Sequence, residues 1–167
     1  MNIIQNYCCS GDCELEGPCT AALGKLISTA TRLKSLTLSG NYGLLSSPET
    51  VKPLAHALAT NKSLTSLSID YCGLTDDGVA ILAESLKQNT TLKEIDFDGN
   101  NLTDYGAKSL LAMLAVNTTI SSMAIDGDSN SLSDNAVQLI HAALSNRSHA
   151  PSTSQDNEYR MRHADLL

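Results

Sequence analysis

One pattern recurs along most of this 167-residue chain and limits what it can fold into. Four segments place apolar residues at their first, fourth and sixth positions, as in LKEIDFDGN, which starts at Leu92. The other three segments start at Leu33, Leu64 and Ile120, so the intervals are 31, 28 and 28 residues. Each segment predicts a short strand that turns one face toward a core. A recurrence of this length is typical of a chain built from stacked units.

A helical pattern follows each predicted strand. The segment LTDDGVAILAESLKQNTT from Leu74 has apolar residues three or four positions apart, and LTDYGAKSLLAMLAVNTT from Leu102 repeats the plan. A hydroxyl residue followed by aspartate precedes each helix and predicts an N-cap. Strands stack about 4.8 Å apart and helices about 8–10 Å apart, so an array of such units should curve with its sheet on the inside. The predicted N-cap residues are Thr75, Thr103 and Ser133.

The strand segments resemble the leucine-rich repeat family, whose pattern is L-x-x-L-x-L-x-x-N/C-x-L. Their ninth position holds Asn41, Cys72, Asn100 and Asp128 in turn, and two extra residues then precede Leu132 in the last copy. The full helix and the N-T-T before the next leucine make the chain similar to the ribonuclease-inhibitor-like subfamily with 28-residue repeats. The resemblance implies an α/β fold, a right-handed solenoid in a short horseshoe arc. Its parallel β-sheet would form the concave face and its helices the convex face.

The repeats are expected to fill residues 1–147 as one leucine-rich repeat domain of about five strand–helix units, the first one partial. The opening MNII is interpreted as a fragment of an earlier strand, and GPCTAALGKLISTA as its helix. The polar segment 148–167 is out of register with the repeats. It predicts either a C-terminal capping segment or a tail, and its Tyr159, Met161 and Leu166 favour the cap.

Charge and apolar content narrow the function classes. The formal net charge of −7 argues against nucleic acid and membrane surfaces as partners, because both attract cationic faces. The chain has neither an apolar run of roughly 20 residues, as a membrane span needs, nor the basic start of a secretory signal. We therefore expect a cytoplasmic protein with free thiols. For the crowded Cys8, Cys9, Cys13 and Cys19, disulfide-bridged and metal-bound states remain alternatives.

Several tempting motifs have a simpler explanation in the repeat. The segments from Asp96 and Asp126 resemble calcium loops but lack the required glycine at the sixth position and glutamate at the twelfth. Triplets of the N-x-S/T type at Asn61, Asn89 and Asn117 recur just before the next leucine or isoleucine, which favours a turn role over glycosylation. No catalytic, cofactor-binding or metal-binding pattern emerges, so we expect neither an enzyme nor a bound cofactor.

Polar residues between the buried ones are expected to form three columns on the concave face. The third column holds three carboxylates on adjacent strands, and two more lie beside it. Like charges on neighbouring strands cost stability, so this face suits a cationic partner; keeping an exposed sheet soluble is the other explanation. The predicted partner-binding residues are Ser66, Ser68, Asp70, Tyr71, Glu94, Asp96, Asp98, Ser122 and Asp126.

These observations predict a non-catalytic scaffold that binds a protein partner with a basic patch through its acidic concave face. Large aromatic anchors are scarce there, and Tyr42 and Tyr71 at the rim are the candidates. The resemblance extends to Ran GTPase-activating proteins, which makes a GTPase regulator one alternative. A leaderless bacterial effector that acts on a host protein in the host cytoplasm is another.

Overall fold

The structure is a computed structural model that describes residues 3–4, 17–127, 129–145 and 147. Within these residues, five strands alternate with five helices, and the strands form one parallel sheet in chain order. Each helix packs against the next one along the chain. The strands are β1 (Ile3–Ile4), β2 (Ser35–Thr37), β3 (Ser66–Ser68), β4 (Glu94–Asp96) and β5 (Ser122–Ala124). The helices are α1 (Gly17–Thr29), α2 (Pro48–Thr60), α3 (Asp76–Leu86), α4 (Asp104–Leu114) and α5 (Asp134–Ser145).

The pairing of the strands follows the repeat that the sequence predicts. The first residues of β2 to β5 pair in register across the sheet; they are Ser35, Ser66, Glu94 and Ser122. The strand fragment predicted in MNII is confirmed, because Ile3 pairs with Ser35. The predicted leucine-rich repeat fold, with a parallel sheet on one side and helices on the other, is therefore confirmed.

The core is a continuous row of aliphatic side chains, one set from each unit. The middle residue of each strand from β2 to β5 is buried, and Phe97 is fully enclosed between the sheet and the helices. Burying one such side chain contributes about 1.5–3 kcal/mol, so neighbouring units stabilise one another through a shared interior. The buried middle residues are Leu36, Leu67, Ile95 and Met123.

A row of buried asparagines ties each helix end to the following strand. Asn117 donates from Nδ2 to Leu86 O at 2.7 Å and to Asn89 O at 2.9 Å. Its Oδ1 accepts from Thr119 N at 2.8 Å and Ile120 N at 2.9 Å. Equivalent bonds recur one and two units earlier, and all three side chains are at most 3% exposed. The turn role is thus confirmed for this row, which consists of Asn61, Asn89 and Asn117.

Arg147 occupies the end of this asparagine row. Its guanidinium donates to Asn117 O at 2.6 Å, to Ile120 O at 3.1 Å and also to Leu114 O. One unit earlier, the equivalents of Leu114 O and Asn117 O accept from an asparagine; here both accept from an arginine.

The ninth-position assignment of the last copy was wrong. Asn130, not Asp128, takes the role of the repeat asparagine, since its Nδ2 donates to Phe97 O at 3.0 Å and its Oδ1 accepts from Leu102 N at 3.1 Å. Asn100 makes the corresponding bonds one unit earlier. The two extra residues therefore precede the asparagine instead of following it, and Asp128 itself lies outside the described residues.

The helix caps link neighbouring units in a way that the N-cap pattern did not predict. Thr103 caps α4 by accepting from Tyr105 N at 3.3 Å, as expected, whereas Thr75 makes no side-chain cap bond. Asp76, in the first turn of α3, instead accepts from Thr103 N at 2.8 Å and from Gly106 N at 2.9 Å. One unit thus caps the helix of the next.

Other predictions fall on parts of the chain that the structure does not describe. The C-terminal segment 148–167 and the thiols of Cys8, Cys9 and Cys13 lie there, so the domain boundary at residue 147 stays a prediction. The two described cysteines, Cys19 and Cys72, are free, and burial raises the pKa of the Cys72 thiol to about 12. No helix in the described ranges is long and apolar enough to cross a bilayer.

Candidate protein-binding face

The candidate site is the side of the sheet that faces away from the core. Along each strand from β2 to β5 the middle residue is buried and its two neighbours are partly or fully exposed. Two of the predicted columns are confirmed by the strand register: one contains Ser66, Glu94 and Ser122, and the other contains Ser68 and Asp96. The third predicted column lies two residues beyond the end of each strand, at Asp70 after β3, Asp98 after β4 and Asp126 after β5.

Asp70 is held by hydroxyl groups from two strands. Ser39 Oγ and Ser68 Oγ lie 2.8 Å apart, and both hydroxyls hydrogen-bond to Asp70 Oδ1. Donors of this kind hold the carboxylate in one orientation. Ser39 is not among the predicted partner-binding residues, although its place two residues beyond β2, equivalent to that of Asp70 beyond β3, was the signal that would have included it.

Asp96 lies at the centre of the acidic group. Burial raises its pKa to about 6, and the negative charges of nearby carboxylates act in the same direction. The bond from Asp98 N to Asp96 Oδ1, 2.9 Å long, opposes this rise. The charge on Asp96 is therefore costly in the protein alone, and a cation placed beside it would lower that cost. The nearby carboxylates are Asp70, Asp98 and Asp126.

The other carboxylates differ in how tightly they are held. Asp98 accepts from Gly127 N through Oδ1 at 2.9 Å, which bends it toward the next unit. Glu94 and Asp126 are exposed. Ion pairs in the described part of the chain lie instead within helices, between Glu49 and Lys52 in α2 and between Glu84 and its neighbour Lys87 at the end of α3.

Two tyrosines lie at the rim of this face, after the strands. The Tyr42 and Tyr71 ring centroids are 6.1 Å apart with an interplanar angle of 68°, an edge-to-face contact. Tyr71 has a positive φ of 53°, in a repeat position where Gly40 and Gly99 have φ values of 79° and 65°. The sequence named both tyrosines as aromatic candidates but only Tyr71 as a partner-binding residue, and it did not predict their contact, which spans two repeats.

The arrangement of this face suits the binding of another molecule. Within the described ranges, no three histidine, cysteine, aspartate or glutamate side chains are placed to hold a metal ion. What the face does offer is a sheet of short polar side chains, a central acidic group and an aromatic rim.

Comparison with known proteins places this fold in a family. A family model described as the TMOD/LMOD leucine-rich domain matches residues 22–155. The chain belongs to this TMOD/LMOD family. Leucine-rich repeat-containing protein 73 from Rattus norvegicus and that from Homo sapiens are each 44% identical to it over 57 residues. Those residues make up 34% of this chain and only 17% of the length of each relative.

Solved structures show the same TMOD/LMOD fold. Leiomodin-1 Actin-Binding Site 2 (ABS2) superposes with a TM-score of 0.62 at 12% identity, covering 87% of this chain and 94% of that one. The tropomodulin C-terminal domain from Caenorhabditis elegans superposes with a TM-score of 0.50 at 15% identity, covering 88% of this chain and 98% of that one. At these identities the likeness establishes the fold.

Proposed function

We propose that this TMOD/LMOD-family chain is a non-catalytic protein-binding module, and that its acidic concave face receives a basic patch of its partner. The main support is the position of Asp96, whose pKa is raised to about 6 by burial and by the carboxylates around it. Such a group carries an electrostatic cost that serves no packing purpose. A cationic partner would offset that cost and would also be steered toward the face.

Actin is the first partner to test. The name of the similar solved structure, Leiomodin-1 Actin-Binding Site 2, states what that protein binds. We propose the same class of partner for this chain because it shares the family and the fold. The partner-binding residues in this proposal are the nine predicted from the sequence.

The remaining assignments are also proposals. We place the protein in the cytoplasm, where the free thiols of Cys19 and Cys72 would stay reduced. The likeness to ribonuclease-inhibitor-like repeats remains a prediction. The matched family and structures give no support to a GTPase regulator or to a bacterial effector acting in host cytoplasm.

The proposal can be tested by reversing charges on the acidic face while keeping the hydrogen-bonded carboxylates Asp70, Asp96 and Asp98. Glu94→Lys combined with Asp126→Lys changes two exposed carboxylates that flank the acidic group. Co-sedimentation with actin filaments, together with affinity capture from a cell lysate quantified by mass spectrometry, measures binding. We expect the double variant to lose at least about tenfold in bound partner, as for charge pairs in contact.

A matched control carries the same charge change on another surface. Asp77→Lys combined with Asp134→Lys alters two exposed carboxylates in the first turns of α3 and α5. Thermal melting checks that both double variants stay folded. If the two variants bind equally well, the acidic face is not the binding surface. If neither actin nor any captured protein responds to the face variant, the proposed function fails.

A further inference from the structure

The aromatic rim holds an unusual pair of tyrosines. Tyr42 is 71% exposed, although it makes an edge-to-face contact with Tyr71. An exposed tyrosine presents a large, rigid surface to a partner at little cost in conformational entropy. The pair therefore supplies what the rest of the acidic face lacks, since interface anchors are mostly Trp, Tyr and Arg.

The backbone at Tyr71 is strained in order to hold its ring in place. Its φ of 53° lies in the left-handed region, which glycine occupies at the equivalent Gly40 and Gly99. The Tyr71 ring lies directly over Gly99, where any added Cβ would collide with it. Strain kept at a partly exposed aromatic side chain at the edge of a candidate binding face points to a function of that side chain.

Acidic residues precede Tyr71 and the glycine that lies under its ring. Asp70 directly precedes Tyr71, and Asp98 directly precedes Gly99, on which the ring lies. Among the described residues the cation–π contact joins Lys108 to Tyr105, 5.2 Å from Nζ to ring centroid, so it involves neither rim tyrosine. The rim thus combines aromatic surface with negative charge.

We propose that Tyr42 and Tyr71 form a docking site for an arginine side chain of the partner protein. The planar guanidinium would lie against a tyrosine ring and donate to the carboxylate of Asp70 or Asp98. Arginine suits this geometry better than lysine because its flat, weakly hydrated group stacks on rings and bonds carboxylates in a fork. This inference rests on the proposed function and adds which partner residue the rim selects.

Two synthetic peptides of equal length and charge serve as probes, one of four Arg-Gly-Ser repeats and one of four Lys-Gly-Ser repeats. Each is titrated into the full chain and followed by NMR of the tyrosine rings and of the Asp98 and Gly99 amides. We expect the arginine peptide to bind about three- to tenfold tighter than the lysine peptide, the range of a partly desolvated cation–π contact. The ring signals of Tyr42 and Tyr71 should shift with the arginine peptide.

Variants assign the effect to the rim. Tyr42→Ala and Tyr71→Gly should each weaken the arginine peptide by about three- to tenfold. Tyr71→Gly restores the residue type used by the other repeats, so loss of binding is not a folding defect. Tyr105→Ala is the matched control, because Tyr105 is 75% exposed but lies at the start of α4, away from the rim. Its affinity should stay within twofold.

The outcomes separate this inference from the proposed function. Equal affinity for both peptides, unchanged binding by the two rim variants, or no binding of either peptide overturns the arginine site. If both peptides bind equally and Glu94→Lys with Asp126→Lys abolishes binding, the acidic face stands while the arginine site fails. If the tyrosine variants weaken the arginine peptide and Glu94→Lys with Asp126→Lys does not, the arginine site stands and these two exposed carboxylates take no part in binding.

Discussion

Two rows of polar side chains cross the repeats, one beside the helix ends and one on the concave face of the sheet. The asparagine row is buried, and the amides of Asn61, Asn89 and Asn117 both donate to and accept from the backbone. The acidic row is half-exposed and consists of like charges, so that the pKa of Asp96 rises to about 6. Both rows recur with the repeat and both accept hydrogen bonds within the chain, but only the acidic row brings like charges together.

This difference separates a structural row from a candidate binding row. Each asparagine satisfies backbone groups that would otherwise be buried without a partner, so the fold requires it. The carboxylates also accept hydrogen bonds, but their like charges repel one another, so the fold alone does not require the charges. Losing an asparagine should therefore lower stability, whereas neutralising the charge of a carboxylate should leave stability unchanged or raise it.

The largest effect is expected from Asn89→Ala, in the middle of the buried row. The Asn89 amide bonds to Leu58 O and to the N–H groups of Thr91 and Leu92, at distances between 2.6 and 2.8 Å. The substitution leaves all three backbone groups without this partner. Since each unsatisfied buried group costs about 1–3 kcal/mol, the free energy of unfolding should fall by about 3 kcal/mol in urea titration.

Asn101→Ala is the control for this experiment, because the side chain of Asn101 is exposed in the segment before α4. Its free energy of unfolding should change by less than about 0.5 kcal/mol. Similar losses at the two positions would mean that burial in the row is not what makes Asn89 structural.

A smaller loss is expected at the end of the same row. Arg147→Ala removes the donor to Leu114 O, Asn117 O and Ile120 O, but Arg147 is only partly buried, so water can replace some of the lost bonds. We expect the free energy of unfolding to fall by about 1–2 kcal/mol. Arg147→Lys should recover less than half of the loss, since one ammonium does not span three carbonyls. Arg32→Ala, at an exposed position, serves as the control. If Arg147→Lys is as stable as the unchanged protein, the proposed geometry is wrong.

Sequence reasoning succeeded wherever a role repeats at a fixed distance from a leucine. The strands, the helices, the columns of the sheet and the turn role of Asn117 all follow from that spacing. The assignment of Asp128 failed because counting from Ile120 places an insertion after the ninth position, whereas hydrogen bonding puts it before Asn130. Counting along a chain does not show where a loop absorbs extra residues.

Contacts between units were the other limit. N-cap rules treat a helix by itself, so they assign Thr75 to α3 but give no reason to link Asp76 with Thr103 of the next unit. The contact between Tyr42 and Tyr71 has the same origin, since it joins different positions in two successive repeats. Such pairs depend on how units are offset from one another, which periodicity does not specify.

In the acidic row, Asp96→Asn should stabilise the protein above about pH 6. The folded pKa of Asp96, about 6, exceeds its ordinary value of 3.8, so ionisation costs the folded state. Below about pH 4, Asp96 is protonated in both the folded and the unfolded protein, and its ionisation costs no stability. As the pH rises through 6, the free energy of unfolding falls because the charged form is disfavoured in the folded state. Because the group is partly solvent-screened, we expect a gain of about 1 kcal/mol at pH 7.5.

Urea titrations of Asp96→Asn at pH 4 and pH 7.5 test the sign. The gain should vanish at pH 4, and the amide oxygen of the substituted side chain would still accept the bond from Asp98 N. Glu94→Gln is the control, because Glu94 is exposed and should have little effect at either pH. A loss of stability at pH 7.5 would show that the ionised carboxylate belongs to the fold after all.

The smallest effect concerns the rim, where strain and function are predicted to coincide. Tyr71→Gly relieves the φ of 53° but removes the ring that contacts Tyr42, so the free energy of unfolding should change by less than about 0.5 kcal/mol. Tyr71→Ala loses the ring and keeps the strain, and should be about 1 kcal/mol less stable than Tyr71→Gly. Thermal and urea unfolding of the two variants measure this difference. Equal stability would mean that the backbone at residue 71 is not strained, and the tyrosine would then need no functional explanation.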